Sequence, residues 1–290
     1  MEKYRGIFPA LLTPFDANDR VAEQSLADLI DYNLKKGVGG FYVGGSTAEA
    51  FLLDQEERKI VMDVAAQSAE GKCTLIAHIG TIATRQAVAL AEHAAKLGYD
   101  AISSVAPFYY KFSFEEIRRY YMTLAEASGL PVFIYNFPAN SGVNLTVDNI
   151  STFLFDPRFI GVKHTSQDYF ALRQFKTAFP NKILYNGYDE TFLAGLSMGA
   201  DGAIGSTFNF MAEKFVAIQR FFDEGKIHEA AALQEKVSAI IVSLCKYGVM
   251  QGEKAVLDAL GIPMGECRAP FAPLTAEDRK SLLDAVLPML

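Results

Sequence analysis

Short apolar runs alternate with amphipathic stretches along most of this chain. Residues 6–12 (GIFPALL) precede a helical pattern over 22–36 (AEQSLADLIDYNLKK), and 40–43 (GFYV) gives way to Asp54, Gln55, Glu56 and Glu57, which open a helix toward Ala69. Residues 74–78 (TLIAH) lead to a helix over 84–96 that Gly98 is suited to stop. Residues 100–104 (DAISS) precede Ser113, a capping serine with Glu115 and Glu116 in the first turn. The runs at 132–135 (VFIY), 160–163 (IGVK), 183–186 (ILYN) and 202–205 (GAIG) continue the series, each with a helix-length segment behind it.

Strict strand–helix alternation demands parallel strands joined by crossover helices. Eight such units close naturally into a (β/α)8 TIM barrel. The alternative is an open, doubly wound sheet, but the first strand runs into Thr13-Pro14-Phe15-Asp16 rather than a glycine-rich phosphate turn. After Gly225 the alternation stops. Helical stretches at 226–247, 252–260 and 275–287 follow, with Pro263, Pro270 and Pro273 between them. The expectation is a barrel over 1–225 and a C-terminal helical extension of the same domain over 226–290.

Half of the residues are hydrophobic, so a large core is available and a disordered chain is excluded. Lys and Arg number 27 against 34 Asp and Glu, a net charge of -7, which argues against a nucleic-acid partner. No run is long enough to span a membrane, and the opening apolar run, broken by Pro9, is too short for a secretory signal. Cys73, Cys245 and Cys267 are odd in number and far apart, neither a disulfide framework nor a metal knuckle. A cytoplasmic protein is expected.

In a barrel of this kind the chemistry sits where the strands end. Lys163 ends an apolar strand and shares a face with Gly161 and Thr165, so the glycine is expected to leave room for it inside the barrel. Burial would lower its pKa toward the nucleophilic amine that an imine needs; alternatively its stem packs along the strand and its head reaches the rim. Tyr135, one strand away, is a proton relay or a core tyrosine with a satisfied hydroxyl. Gly44-Gly45-Ser46-Thr47 offers backbone N–H groups and two hydroxyls to an anion such as a carboxylate. Asp189 and Glu190 could reach a polyhydroxylated ligand, but capping a helix that begins near Thr191 is the simpler expectation. Gly205-Ser206-Thr207 is compatible with a phosphate site but has no Lys or Arg beside it. His78 and His164 fall near the mouth without carboxylates at ligand spacing, so no metal is expected; His93 and His228 read as surface residues.

Three segments combine these signals: Gly44-Gly45-Ser46-Thr47-Ala48-Glu49, Tyr135-Asn136-Phe137-Pro138 and Gly161-Val162-Lys163-His164-Thr165-Ser166. In this order and at these separations the chain resembles, over essentially its whole length, the pyruvate-dependent class I aldolases that include N-acetylneuraminate lyase and dihydrodipicolinate synthase. The resemblance implies a (β/α)8 barrel, usually a homotetramer, that needs neither metal nor organic cofactor. It implies that Lys163 forms a Schiff base and Tyr135 relays protons to and from the aldol oxygen. Ser46 and Thr47 would hold the pyruvyl carboxylate, and Tyr110 would support the site from near a subunit contact.

Within the family the lyase branch fits better. Gly187-Tyr188-Asp189-Glu190 and the segment from Gly202 to Asn209 resemble the parts in which Asp, Glu and Ser bind the polyol tail, here Asp189, Glu190 and Ser206 beside Gly187 and Thr165. The synthase branch places a carboxylate-binding arginine where this chain has Asn140, and an amide cannot supply that charged, bidentate contact. The implied substrate is a sialic acid, cleaved to N-acetylmannosamine and pyruvate. A sibling aldolase for another keto-deoxy-sugar acid is the nearest alternative. A homologue that binds sugar acids without turnover would be marked by loss of Lys163 or Tyr135, and both are present. Ala48 departs from the family pattern, which has glycine there; if the position needs φ > 0, alanine costs about 1 kcal/mol.

Overall fold

The computed structural model describes all 290 residues. Its eight strands are β1 (Gly6–Pro9), β2 (Gly40–Val43), β3 (Thr74–His78), β4 (Ala101–Val105), β5 (Val132–Asn136), β6 (Phe159–His164), β7 (Ile183–Asn186) and β8 (Gly202–Gly205). All neighbouring pairs are parallel, in the order β1-β8-β7-β6-β5-β4-β3-β2. The first strand stops at Pro9 rather than reaching residue 12, because the chain there crosses from β8 to β2. Ala10 N–H donates to Gly205 C=O (2.9 Å), and Leu11 N–H donates to Tyr42 C=O (3.0 Å). That crossing closes the barrel.

The crossover helices are α1 (Glu23–Leu34), α2 (Gln55–Ala69), α3 (Thr84–Lys96), α4 (Phe114–Ser128), α5 (Pro138–Ser141), α6 (Val147–Leu154), α7 (Tyr169–Ala178) and α8 (Phe192–Ser197), and α9 (Phe208–Asp223) follows the last strand. Their starts follow local chemistry. Asp54 and Ser113 both complete capping boxes, with Glu57 and Glu116 returning the bond to the cap's own N–H.

Strand side chains divide by alternation. Phe8, Tyr42, Ile76, Phe133, Tyr135, Ile183, Tyr185 and Ile204 fill the barrel as part of a cluster of 12 buried residues. The opposite faces join the helices in a cluster of 63. The extension, α10 (Ile227–Cys245), α11 (Val249–Ala259) and α12 (Ala276–Val286), contributes Val237, Ile240, Leu244, Val256, Leu257 and Leu282 to that larger core. Helix α11 begins three residues earlier than the sequence suggests. Gly252 lies inside it because a Cβ there would come within 2.7 Å of Leu244 Cδ2, so the bare backbone is what lets these helices pack.

Candidate active site

The strand ends converge on a cavity of about 270 Å³ lined by Ser46, Thr47, Tyr135, Lys163, Thr165, Gly187, Asp189, Glu190 and Ser206. Nine of the ten sequence-predicted site residues therefore meet in one place. The tenth, Tyr110, stands outside it on the surface, 64% exposed and packed edge-on against Tyr109. A larger hollow, about 430 Å³, is flanked by Phe51, Ile82 and Phe108 and contains no lysine.

Lys163 points inward because of an irregularity in β6. Val132 pairs with Phe159, but the next residue, Phe133, pairs with Gly161, so Ile160 is an extra residue in the strand. Simple alternation from Phe159, which faces the helices, would put Lys163 on that same outer face. The bulge reverses the phase and sets Lys163 opposite Tyr135 inside the barrel. The first demand on Gly161 comes from its neighbours: a Cβ there would meet Ile183 C=O at 2.2 Å and the Phe133 ring at 2.6 Å, so only glycine fits.

Lys163 is 5% exposed and has no hydrogen-bond or ion-pair partner; its Nζ lies 4.3 Å from the centre of the Tyr135 ring and 4.4 Å from that of Tyr42. Burial lowers its pKa to about 7, with Asp189 pulling weakly the other way. The side chain does not snorkel to the rim. An amine that is substantially neutral at neutral pH is the form that attacks a carbonyl carbon. Burial also pushes the Tyr135 phenol up to about 12, so that hydroxyl carries its proton at neutral pH.

At one side of the lysine, Ser46, Thr47 and Ala48 form a single 3-10 turn after β2. Its first internal bond is donated by Ala48 N–H to Gly45 C=O (3.1 Å), which leaves the preceding N–H groups available to an anion. Gly44, at φ +72, makes the entry to this turn. His78 holds it from below. Its Nδ1–H donates to Gly44 C=O (2.9 Å) and its Nε2 accepts from Val105 N–H (3.3 Å), the tautomer those partners require. Burial depresses its pKa to about 3, so it stays neutral. His164 faces away from the cavity toward Asn136 and Phe175. His93 is half-buried and pairs with Asp63 (2.8 Å), and His228 is exposed. Nowhere do three His, Cys, Asp or Glu side chains gather at metal-binding spacing.

The left-handed conformation feared at Ala48 falls instead on Glu49, at φ 58. Its carboxylate is buried and holds the turn to the C-terminal extension: Lys254 Nζ on α11 donates to Oε1 (2.7 Å), and Arg268 N–H donates to Oε2 (2.7 Å). Both paired side chains are at most 1% exposed. Lys254 does not stand out in the sequence, and Glu49 enters it only as the last residue of the Gly44–Glu49 segment, with no role of its own. Lys254→Met should cost about 3–5 kcal/mol, because it strands a buried carboxylate. Chemical denaturation checks this; a loss under 1 kcal/mol would mean that water or Arg268 suffices.

At the other side, Asp189 does not cap a helix. It is buried, and its Oδ2 accepts from Thr207 N–H (2.9 Å) and Thr207 Oγ1 (2.6 Å), which ties the ends of β7 and β8 together. A Cβ at Gly205 would lie 2.0 Å from Asp189 Oδ1. Burial raises the Asp189 pKa to about 6, partly offset by the Thr207 bonds. Glu190 is exposed at the rim, and Ser206 is half-buried beside it. A cavity Cβ at Gly187 would clash at 1.9 Å with Thr165 Oγ1, a buried hydroxyl with no partner in the protein.

Fold and site together define a (β/α)8-barrel protein with an unpaired, neutralisable lysine in its mouth, a carboxylate-sized turn on one side and acids on the other. Residues 3–287 match the model of the dihydrodipicolinate synthetase family, and the chain belongs to that family. It is 46% identical over 288 residues to the N-acetylneuraminate lyase of Rhizobium meliloti (strain 1021), covering 99% of this chain and 96% of that one. Among solved structures it superposes on a Clostridium difficile protein crystallised in complex with mannosamine, with a TM-score of 0.97, 36% identity and 99% of each chain covered. It also superposes on a catalytic-lysine mutant of the sialic acid aldolase of Ruminococcus gnavus, with a TM-score of 0.97, 33% identity and coverage of 100% and 96%.

Proposed function

We propose that this protein is an aldolase that cleaves N-acetylneuraminate to N-acetylmannosamine and pyruvate through a Schiff base on Lys163. The observation that carries the reading is the lysine itself: buried, unpaired, lowered to about 7 and set directly across the strand pair from Tyr135. The relatives named N-acetylneuraminate lyase and sialic acid aldolase support the choice of substrate.

The open-chain sugar acid enters with its carboxylate at Ser46 and Thr47. The neutral Lys163 Nζ adds to the C2 ketone, and loss of water leaves an iminium whose positive charge draws electrons from the C3–C4 bond. Tyr135, which already carries its proton, acts as a relay: its hydroxyl accepts the C4 hydroxyl proton as it passes its own to the pyruvyl carboxylate, the sugar leaves as an aldehyde, and the relayed proton is the one later delivered to C3. The enamine then takes a proton at C3, and water releases pyruvate and the free amine. Asp189, Glu190 and Ser206 accept hydrogen bonds from the hydroxyl tail, while Thr165 offers its free Oγ1 between the two ends. Tyr109 and Tyr110 are exposed, apolar surface of the kind a subunit contact covers, which fits the homotetramer that the family resemblance implies, with Tyr110 near that contact. All three cysteines are unpaired, which supports a reducing, cytoplasmic location.

Glu190 is the most direct test of the sugar. Each hydrogen bond to a carboxylate contributes about 1.5–3 kcal/mol. Glu190→Ala should therefore weaken N-acetylneuraminate cleavage by roughly one to two orders of magnitude in kcat/KM. Borohydride trapping of pyruvate on Lys163 should be untouched. Assay against a panel of 2-keto sugar acids reads this out; unchanged cleavage of N-acetylneuraminate would move a keto-deoxy-sugar acid ahead as substrate.

A further inference from the structure

Behind Ser206 lies a carboxyl group that the proposed chemistry does not use. Glu253, on α11, is 0% exposed, and its Oε1 accepts a hydrogen bond from Ser206 Oγ at 2.6 Å. Its Oε2 has no partner. The adjacent Lys254 gives it no charge compensation, because that ammonium is committed to Glu49 and the Glu266 C=O. Asp189 is close enough to oppose its ionisation, and burial with that repulsion pushes Glu253 up to about 8. A half-satisfied buried carboxyl is costly to the fold, and an apolar side chain of the same shape would be at least as stable there. Its placement is therefore accounted for by what it does to Ser206.

A serine hydroxyl has one proton and two acceptor positions. In this geometry Ser206 Oγ donates its proton to Glu253 Oε1, a bond that favours the ionised carboxyl against the pull of burial. Only lone pairs of Ser206 remain for the cavity. We propose that Glu253 is a positioning residue that locks Ser206 as a hydrogen-bond acceptor and so makes this end of the cavity, with Asp189 and Glu190, an all-acceptor surface selective for neutral polyhydroxylated tails. A tail ending in phosphate or carboxylate would meet only acceptors and be refused. The inference rests on the sugar-aldolase reading above and deepens it.

The test compares Glu253→Met, Glu253→Gln and Ser206→Ala by steady-state cleavage of N-acetylneuraminate, pyruvate trapping and thermal unfolding. Glu253→Met should raise KM about three- to tenfold at nearly constant kcat, the effect of losing one oriented hydrogen bond. Its melting temperature should stay the same or rise. Glu253→Gln, whose carbonyl oxygen can take the Ser206 proton, should bring KM back to within about twofold of the native value. In a Ser206→Ala background, Glu253→Met should have no further effect on KM. If the methionine variant does not fold, Glu253→Asp carries the same expectation, since it retracts the acceptor by one methylene. An unchanged KM in the methionine or aspartate variant, a glutamine variant as impaired as methionine, or additive effects with Ser206→Ala would overturn the proposal. Absence of any borohydride adduct on Lys163 in the native enzyme would instead overturn the aldolase reading, independently of Glu253.

Discussion

Lys163→Ala is expected to abolish cleavage and, with pyruvate and borohydride, to leave no adduct at all, whereas the native protein carries the reduced adduct on Lys163 alone. The chain has 16 lysines, and an ordinary one, with a pKa of about 10.4, is protonated at neutral pH. Lys163 is lowered to about 7 because it is buried without a counter-ion. Its trapping rate should accordingly rise with pH, with a midpoint at about 7, and level off above it, while a surface lysine would still be gaining reactivity about three units higher. Lys163→Arg gives no rescue, since a guanidinium stays protonated and cannot form the imine. Peptide mapping of the trapped protein decides the matter. An adduct elsewhere, or turnover in the alanine variant, would sink the Schiff-base assignment.

Tyr135→Phe should lower kcat by roughly 10²–10⁴, the range for loss of a positioned acid–base group. The ring itself is embedded: it stacks on Phe137 at 5.7 Å and meets Tyr42 and His78 edge-on at 6.1 and 5.9 Å. Phenylalanine keeps all of those contacts, so folding and pyruvate trapping should survive while carbon–carbon cleavage does not. Stopped-flow comparison of imine formation and cleavage separates the two steps. A variant that melts earlier but turns over normally would make Tyr135 structural.

The sequence alone carried the fold. Parallel strands need crossovers, so eight apolar runs separated by helix-length amphipathic stretches leave few arrangements. The strand limits at 40–43, 74–78, 183–186 and 202–205 agree with the structure to the residue, because glycine and polar punctuation bracket them. That nine candidate residues line one cavity was legible for a similar reason: each ends or closely follows a strand, and in a barrel all strand ends face one way.

Tertiary structure decided what alternation and local propensity leave open. Whether Lys163 faces in or out depends on the extra residue Ile160, and a bulge is set by the fit of Gly161 against Phe133 and Ile183, which lie on other strands. Asp189 looked like a cap from its neighbours in sequence, yet its partner is Thr207, 18 residues away. The pairings of Glu49, Glu253 and Lys254 carried no signal, because they span up to 205 residues and two of the three fall within an ordinary helical pattern. Periodicity reports which face a residue shares with its near neighbours. The cost of burying a charge, and the partner that offsets it, are fixed only when distant segments pack.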